Sequence, residues 1–379
     1  MYAESNMETI KESKTKLRVH TGEISKRLPV FYNPEKKFDR DLSVIFARDT
    51  GVKSTLDLMC ASGARGMRFL TEGGAEHVHF NDINPEGIKS ARANLRANKI
   101  SKEKYSVTKK EANLLCATIK EKFDFVDVDP FGSPINFIST AIRRVALGGY
   151  IAVTATDTAP LYGVFPKKCI KRYGSRPMRN VFGHETAMRI LAKAIIELGA
   201  KQDIGLEPVL SHATKHYYRI YFRKTRGSKE IDNFGFLYFC SKCKHRFYEN
   251  LKLKEFCPLC RERLNFAGFV YIGNLWDKQL LKKMSCFGKY DSYKTEDEWL
   301  HINSLKSVHR RFIDMLQGEA EINLPYFYEV GEFKFKAAPK MDFLLEALRK
   351  KGFKAARCHI HGDAFKTDAN FKEIKKTIL

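Results

Sequence analysis

No apolar run in the 379-residue chain approaches the roughly 20 residues that span a bilayer. The opening residues MYAESNMETIKESK lack the apolar core of a signal peptide. Neither a basic amphipathic helix nor a lipidation site is evident, so a membrane partner is not expected and the chain is read as cytoplasmic. Internal repeats and low-complexity segments are missing as well, which excludes solenoids and arrays. Nine cysteines occur without the even spacing of a disulfide framework. Cys60, Cys116, Cys169, Cys286 and Cys358 are scattered among apolar or small neighbours and read as reduced packing residues.

Acidic residues are scarce relative to basic ones: 67 Lys and Arg against 44 Asp and Glu give a net charge of +23. From Leu161 onward there are 42 basic and 24 acidic residues, so that part carries +18 and the first 160 residues +5. An excess of this size favours a polyanion partner, nucleic acid above all, over a merely solvated lysine surface.

The patterning alternates strands with helices. STLDLM (54–59), HVHFND (77–82), SVTKKEA (106–112), FDFVDVD (123–129) and GGYIAVTAT (148–156) read as strands, with helices between them. DIGLEPVLSHA and HYYRIYFRK lie too close together for a crossover helix and are expected to pair antiparallel. The expected fold is therefore α/β: a doubly wound, mostly parallel seven-stranded sheet of the class I methyltransferase type with an antiparallel edge hairpin. A smaller α+β domain should follow. The expected division is 1–230 for the arm and catalytic domain and 231–379 for a basic domain with a possible winged-helix-like end.

The loop DLMCASGARG (57–66) follows a strand and opens a helix, as a ligand-binding turn does, but keeps only Gly63 and Gly66 of a G-x-G-x-x-G. Asp82 ends the next strand, where an acid accepts hydrogen bonds from ribose hydroxyls; a plain helix-entry turn with Asp82 as a cap is the competing reading. Arg65 and Arg40 are candidates for a ligand carboxylate, or simple ion pairs. DPFG ends the fourth strand in the ligand crevice, though it is also an ordinary turn composition. There, the Asp129 carboxylate and the Pro130 carbonyl could accept the N–H groups of an exocyclic base amine while Phe131 stacks on the base. Phe31 and Tyr32 either staple the N-terminal arm to the sheet or supply the opposite stacking face. Cys240-x-x-Cys243 and Cys257-x-x-Cys260 have the spacing of a closed four-thiolate site for a structural zinc.

The blocks VFYNPEKKFDRD, DLMCASGARGMR, NDINPEG, DVDPFGSP and TATDTAPLYG together resemble the tRNA (guanine-26, N2)-dimethyltransferase family, in order and over essentially the whole chain. The resemblance implies S-adenosylmethionine as donor and one or two methylations of the N2 amine of a tRNA guanine. By motif position it implies cofactor contacts from Arg40, Arg65, Asp82 and the Glu111-Ala112 pair, catalysis by Asp129, and a base held between Phe31 and Phe131; Asp57 and Gly63 of the first loop are further cofactor-binding candidates. The four-cysteine module occurs in only some members of the family. A monomer is expected. Alternative readings are a DNA amino-methyltransferase, a non-catalytic basic RNA-binding protein and, more remotely, a nicotinamide dehydrogenase.

Overall fold

The structure, a computed structural model, describes residues 6–22, 28–214, 216–285, 296–333 and 339–378. The segment read as a polar arm is in part a hairpin, β1 (Asn6–Glu12) and β2 (Thr15–Thr21), with Thr15, Leu17 and Val19 alternating inward. The α1 helix (Lys37–Thr50) follows and stops at Gly51, whose φ of 71° ends it with a left-handed cap.

The expected alternation then appears: β3 (Ser54–Asp57), α2 (Ala64–Thr71), β4 (His77–Asn81), α3 (Pro85–Ala97), β5 (Tyr105–Thr108), α4 (Ala112–Thr118), β6 (Phe123–Val128), α5 (Ile135–Ala141) and β7 (Val145–Ala155). Helix α3 shows why these boundaries fall where they do: Asn84 accepts a hydrogen bond from the Glu86 N–H (3.0 Å), and Pro85 occupies the first turn. Asn94 on this helix and Asn98 at its C-cap bond both the N–H and C=O groups of Arg18 and Lys16 in β2.

The later elements are α6 (Thr158–Tyr162), α7 (Pro166–Tyr173), α8 (Gly183–Ala200), β8 (Ile204–Thr214) and β9 (Tyr217–Arg226), then β10 (Phe234–Phe239), β11 (Arg246–Glu249) and β12 (Asn265–Tyr271). They are followed by α9 (Lys278–Ser285), α10 (Glu296–Ile322), β13 (Tyr328–Glu329), α11 (Met341–Lys350), β14 (Ala355–Arg357), β15 (Ala364–Thr367) and α12 (Phe371–Ile378).

The seven-stranded sheet has the order β5-β4-β3-β6-β7-β9-β8. Strands β3 to β7 pair in parallel and β8 with β9 antiparallel, as the short 214–217 connection requires. This is the class I methyltransferase arrangement. Strand order reverses at β3, which puts the crevice of a doubly wound sheet at the carboxyl ends of β3, β4 and β6. A three-stranded sheet, β11-β10-β12, carries the four-cysteine module, and a second, β13-β15-β14, packs with α11 and α12. A tight turn at Gly352, with φ at 88°, separates α11 from β14.

By their contacts the residues form two compact units, each discontinuous in sequence: Met1–Pro130, Phe137–Val153 and Lys282–Arg311 in one, and Phe131–Asn136, Thr154–Leu281 and Phe312–Leu379 in the other. Cys60, Cys116, Cys169 and Cys358 are buried packing residues, as expected. Cys286 lies outside the described residues.

The second unit contains a fully buried charge network. Lys366 Nζ lies 3.1 Å from Glu185 and 3.3 Å from Glu319, while His359 Nδ1 is 2.6 Å from Glu319. Arg189 bonds Glu185 at 2.9 Å and the Tyr271 and Gly273 carbonyls. Burial alone would raise the Glu319 pKa, but His359 and Lys366 outweigh it and hold the carboxyl down at about 2. The Glu319 contribution to stability is thus complete above the ordinary carboxylate range and lost only as pH falls through about 2. Removing one member leaves a buried charge uncompensated. Lys366→Met is expected to cost about 3 kcal/mol or more in urea unfolding at neutral pH; a loss below about 1 kcal/mol would show that the network does not hold these elements together.

Candidate active site

The turn after β3 brings backbone close to the crevice. Gly63 has φ of 76° and precedes α2, and Ala61 is also left-handed at 47°. A Cβ on Gly66 would lie 2.5 Å from Phe80 Cε1, so glycine is what lets α2 approach the sheet. Asp82 ties this turn to β4, accepting from the Ala61 N–H (2.7 Å) and the Asn84 N–H (2.9 Å). Burial raises its pKa, against the lowering effect of those N–H groups. Glu111 caps α4, accepting from the Leu114 N–H at 2.9 Å, and Ala112 is buried behind it. Gly63, Asp82, Glu111 and Ala112 therefore border the carboxyl ends of the first strands.

Arg65 gathers the acids beside them. Its guanidinium donates to Asp39 (2.7 Å), Asp129 (2.9 Å) and Ser43 (2.6 Å), and its Nε stands 3.0 Å from Asp127. Lys36 reaches both oxygens of Asp129, at 2.5 and 2.7 Å. Asp57 accepts from the Gly66 N–H (3.1 Å), and burial followed by repulsion from Asp127 pushes its pKa up to about 7 despite Arg65. Sequence reading gave Asp129, Arg65 and Asp57 but missed Lys36, Asp39 and Asp127. Lys36 sits inside the VFYNPEKKFDRD block, 93 residues from its partner, and nothing local marks it.

Arg40 goes elsewhere. Both its Nε (2.9 Å) and an Nη bond Glu12, and it lies 5.0 Å from the centroid of the Tyr32 ring. Tyr32 donates its hydroxyl to Glu12 at 2.5 Å, and Arg68 joins Glu12, Asp41 and Glu72. Burial would raise the Glu12 pKa; the hydrogen bond and charge of Arg40 more than reverse it. Tyr32 is thus the staple of the two aromatics, whereas Phe31 is only part-buried.

Phe131 is 49% exposed. Gly132, with φ of 84°, is clamped twice by Thr156: its N–H donates to the Thr156 hydroxyl (2.7 Å), and its carbonyl accepts the Thr156 N–H (3.0 Å). The next residue, Asp157, accepts from Tyr173 (2.6 Å) and Arg172 (2.8 Å). The TATDTAPLYG block thereby holds the segment that displays Phe131.

The four cysteines of the module bring their sulfurs within 4.8 Å of one another. Cys240 and Cys260 stand 3.5 Å apart and Cys243 and Cys257 3.6 Å, far beyond a disulfide bond of about 2.05 Å. An S4 tetrahedron with legs of about 2.3 Å has edges of about 3.8 Å. Each knuckle turns through a left-handed residue, Lys244 and Arg261, both with φ of 61°. A second group, Glu319, Cys358 and His359, is satisfied by protein partners: His359 accepts the Ala213 N–H (3.1 Å) while Lys366 supplies the cation.

Asp57 gives the first unit a pH signature. Its carboxyl is neutral in folded and unfolded chains at acid pH, but above about 7 folding must bury its charge. Asp57→Asn should therefore gain melting temperature relative to the parent as pH rises from about 5 to 8. A flat difference would remove Asp57 as a strained acid.

The residues match the N2,N2-dimethylguanosine tRNA methyltransferase family from 5 to 379. The tRNA (guanine(26)-N(2)/guanine(27)-N(2))-dimethyltransferase of Aquifex aeolicus is 33% identical, over 93% of this chain and 90% of that protein. The tRNA (guanine(26)-N(2))-dimethyltransferase of Methanothermobacter thermautotrophicus is 32% identical, over 98% of both. Among solved structures, Trm1 from Pyrococcus horikoshii in complex with S-adenosyl-L-methionine superposes with a TM-score of 0.84 and 29% identity, covering 98% of this chain and 99% of that one. With residues 5–379 matched and relatives about a third identical over nearly their full length, the chain belongs to the N2,N2-dimethylguanosine tRNA methyltransferase family.

Proposed function

We propose that this enzyme transfers one or two methyl groups from S-adenosylmethionine to the N2 amine of a guanine in tRNA, guanine 26 by family. The observation that carries the reading is Asp129, fixed at the end of β6 by Lys36 and Arg65 one residue before the Pro130 carbonyl and two before the exposed Phe131. An amine conjugated into a base is a poor nucleophile. A fixed carboxylate and a carbonyl can accept its two N–H groups and aim the nitrogen, and Phe131 and the part-buried Phe31 supply stacking faces. S-adenosylmethionine, when bound, supplies an electrophilic sulfonium methyl. The turn at 61–66 and Asp82 fit an adenosyl ligand, because small residues permit close backbone approach and Asp82 offers acceptor lone pairs to ribose hydroxyls. Glu111 and Ala112 would hold the adenine. Arg65 bonds Asp129 in the crevice, whereas Arg40 bonds Glu12. After one methylation the amine keeps one N–H, enough for Asp129 or the carbonyl to hold it again.

The sulfur spacing fits a zinc ion held by Cys240, Cys243, Cys257 and Cys260, with four thiolates leaving no position for reactive water. In this reading the enzyme acts as a cytoplasmic monomer. Among the described residues no helix is long and apolar enough to cross a membrane.

Incubating an unmodified tRNA transcript with methyl-labelled S-adenosylmethionine should place label in N2-methyl- and N2,N2-dimethylguanosine. Asp129→Ala should still bind the cofactor but transfer at least about 100-fold more slowly. Parental rates in that variant would refute the catalytic role; tRNA binding with no label in the parent would favour a binding protein. Elemental analysis should find about one zinc per chain, lost in Cys257→Ser together with a fall in melting temperature.

A further inference from the structure

Between Asp157 and Glu185 the chain has six basic residues, Lys167, Lys168, Lys171, Arg172, Arg176 and Arg179, and no acidic one. All six are exposed. Arg172 is paired with Asp157, and Arg176 lies 4.2 Å from the centroid of the Phe266 ring. Among the described residues, Lys167, Lys168, Lys171 and Arg179 have no carboxylate partner. The same stretch exposes apolar side chains: Val164 at 43%, Phe165 at 50% and Ile170 at 52%, with Lys168 Nζ 5.1 Å from the centroid of the Phe165 ring.

A solvated helix face would intersperse charges of both signs and hide its aromatics. Here the inward face is fully used, since Cys169 and Tyr173, one turn apart, are buried, and Tyr173 bonds Asp157 at 2.6 Å. The outward face is left cationic and apolar together. This is the composition that tracks a phosphate backbone while offering a ring to an unstacked base. At 8 residues α7 is short for a helix lying in a membrane interface.

The geometry points to the outer face of α7, with the preceding Val164 and Phe165, as a contact for the tRNA backbone and an unstacked base flanking the target guanosine. This rests on the methyltransferase reading above. The location matters because Asp157, which anchors α7, follows Thr156, which clamps Gly132 beside Phe131. RNA held on α7 is thereby linked, through two adjacent residues of one strand exit, to the segment that displays the stacking ring.

The test is tRNA binding by the full chain in the absence of S-adenosylmethionine, over about 50 to 200 mM salt, alongside methyl transfer. Lys167→Gln/Lys168→Gln/Lys171→Gln should raise the tRNA KM at least about 10-fold. It should also reduce the slope of log Kd against log salt by about 2, as loss of three phosphate contacts requires. Cofactor affinity and melting temperature should not change. Phe165→Ala should raise the tRNA KM about 5-fold or more and leave the salt slope intact, the mark of a stacking contact. A triple variant with the parental KM and slope would overturn the inference, as would lysine-dependent retention on anionic phosphatidylserine vesicles with tRNA affinity unchanged. A parent chain that binds tRNA through these lysines yet transfers no methyl group would refute the enzymatic reading and leave the surface standing.

Discussion

The guanidinium of Arg65 is the charge on which the crevice depends. Asp39, Asp127 and Asp129 converge on it from α1 and from the end of β6, and Asp57 stands near enough to feel the same field. Carboxylates this close would otherwise repel one another and take up protons. A planar group with five donors in a fixed fork can serve several of them at once, which a lysine in that place could not do. The position of Asp129 is fixed further by Lys36, a second, nearly buried cation. The order of these carboxylates is electrostatic: each is oriented by a cation already beside it.

Buried charge recurs at other positions and serves order rather than chemistry. Glu12 joins the hairpin to Arg40 of α1 and Arg68 of α2, and Glu319 joins α10 to the segment around His359 and Lys366. Such pairs give little net energy over apolar packing, but each leaves only one satisfactory arrangement. They explain why a chain with a large basic excess keeps several acids entirely away from solvent.

Much of this was legible in the sequence, because short-range patterns report short-range structure. Strand alternation around Leu56, Phe80 and Val126, the missing Cβ at Gly63, and the two C-x-x-C knuckles each declare themselves within a few residues. The antiparallel edge followed from the shortness of one connection. What escaped was set by distance. Lys36 meets Asp129 across 93 positions, and the glutamate that Arg40 bonds stands 28 positions earlier. In the TKLRVHT strand lysine, arginine and threonine mask the period of two that Leu17 and Val19 carry. Thr156 and Asp157 lie in the TATDTAPLYG block, yet only the folded chain reveals what they hold.

Asn94 on α3 and Asn98 at its C-cap, one turn apart, present their amides to Lys16 and Arg18 in β2 and reproduce the donor and acceptor sequence of a neighbouring strand. A two-stranded ribbon ordinarily offers such an edge to any extended peptide that drifts past. Here that edge is already spoken for by a helix, so the hairpin is guarded against recruiting a stranger along β2. The same bonds also prevent β2 from sliding along α3: a slip of one residue would break four hydrogen bonds and withdraw Glu12 from the two arginines that need it.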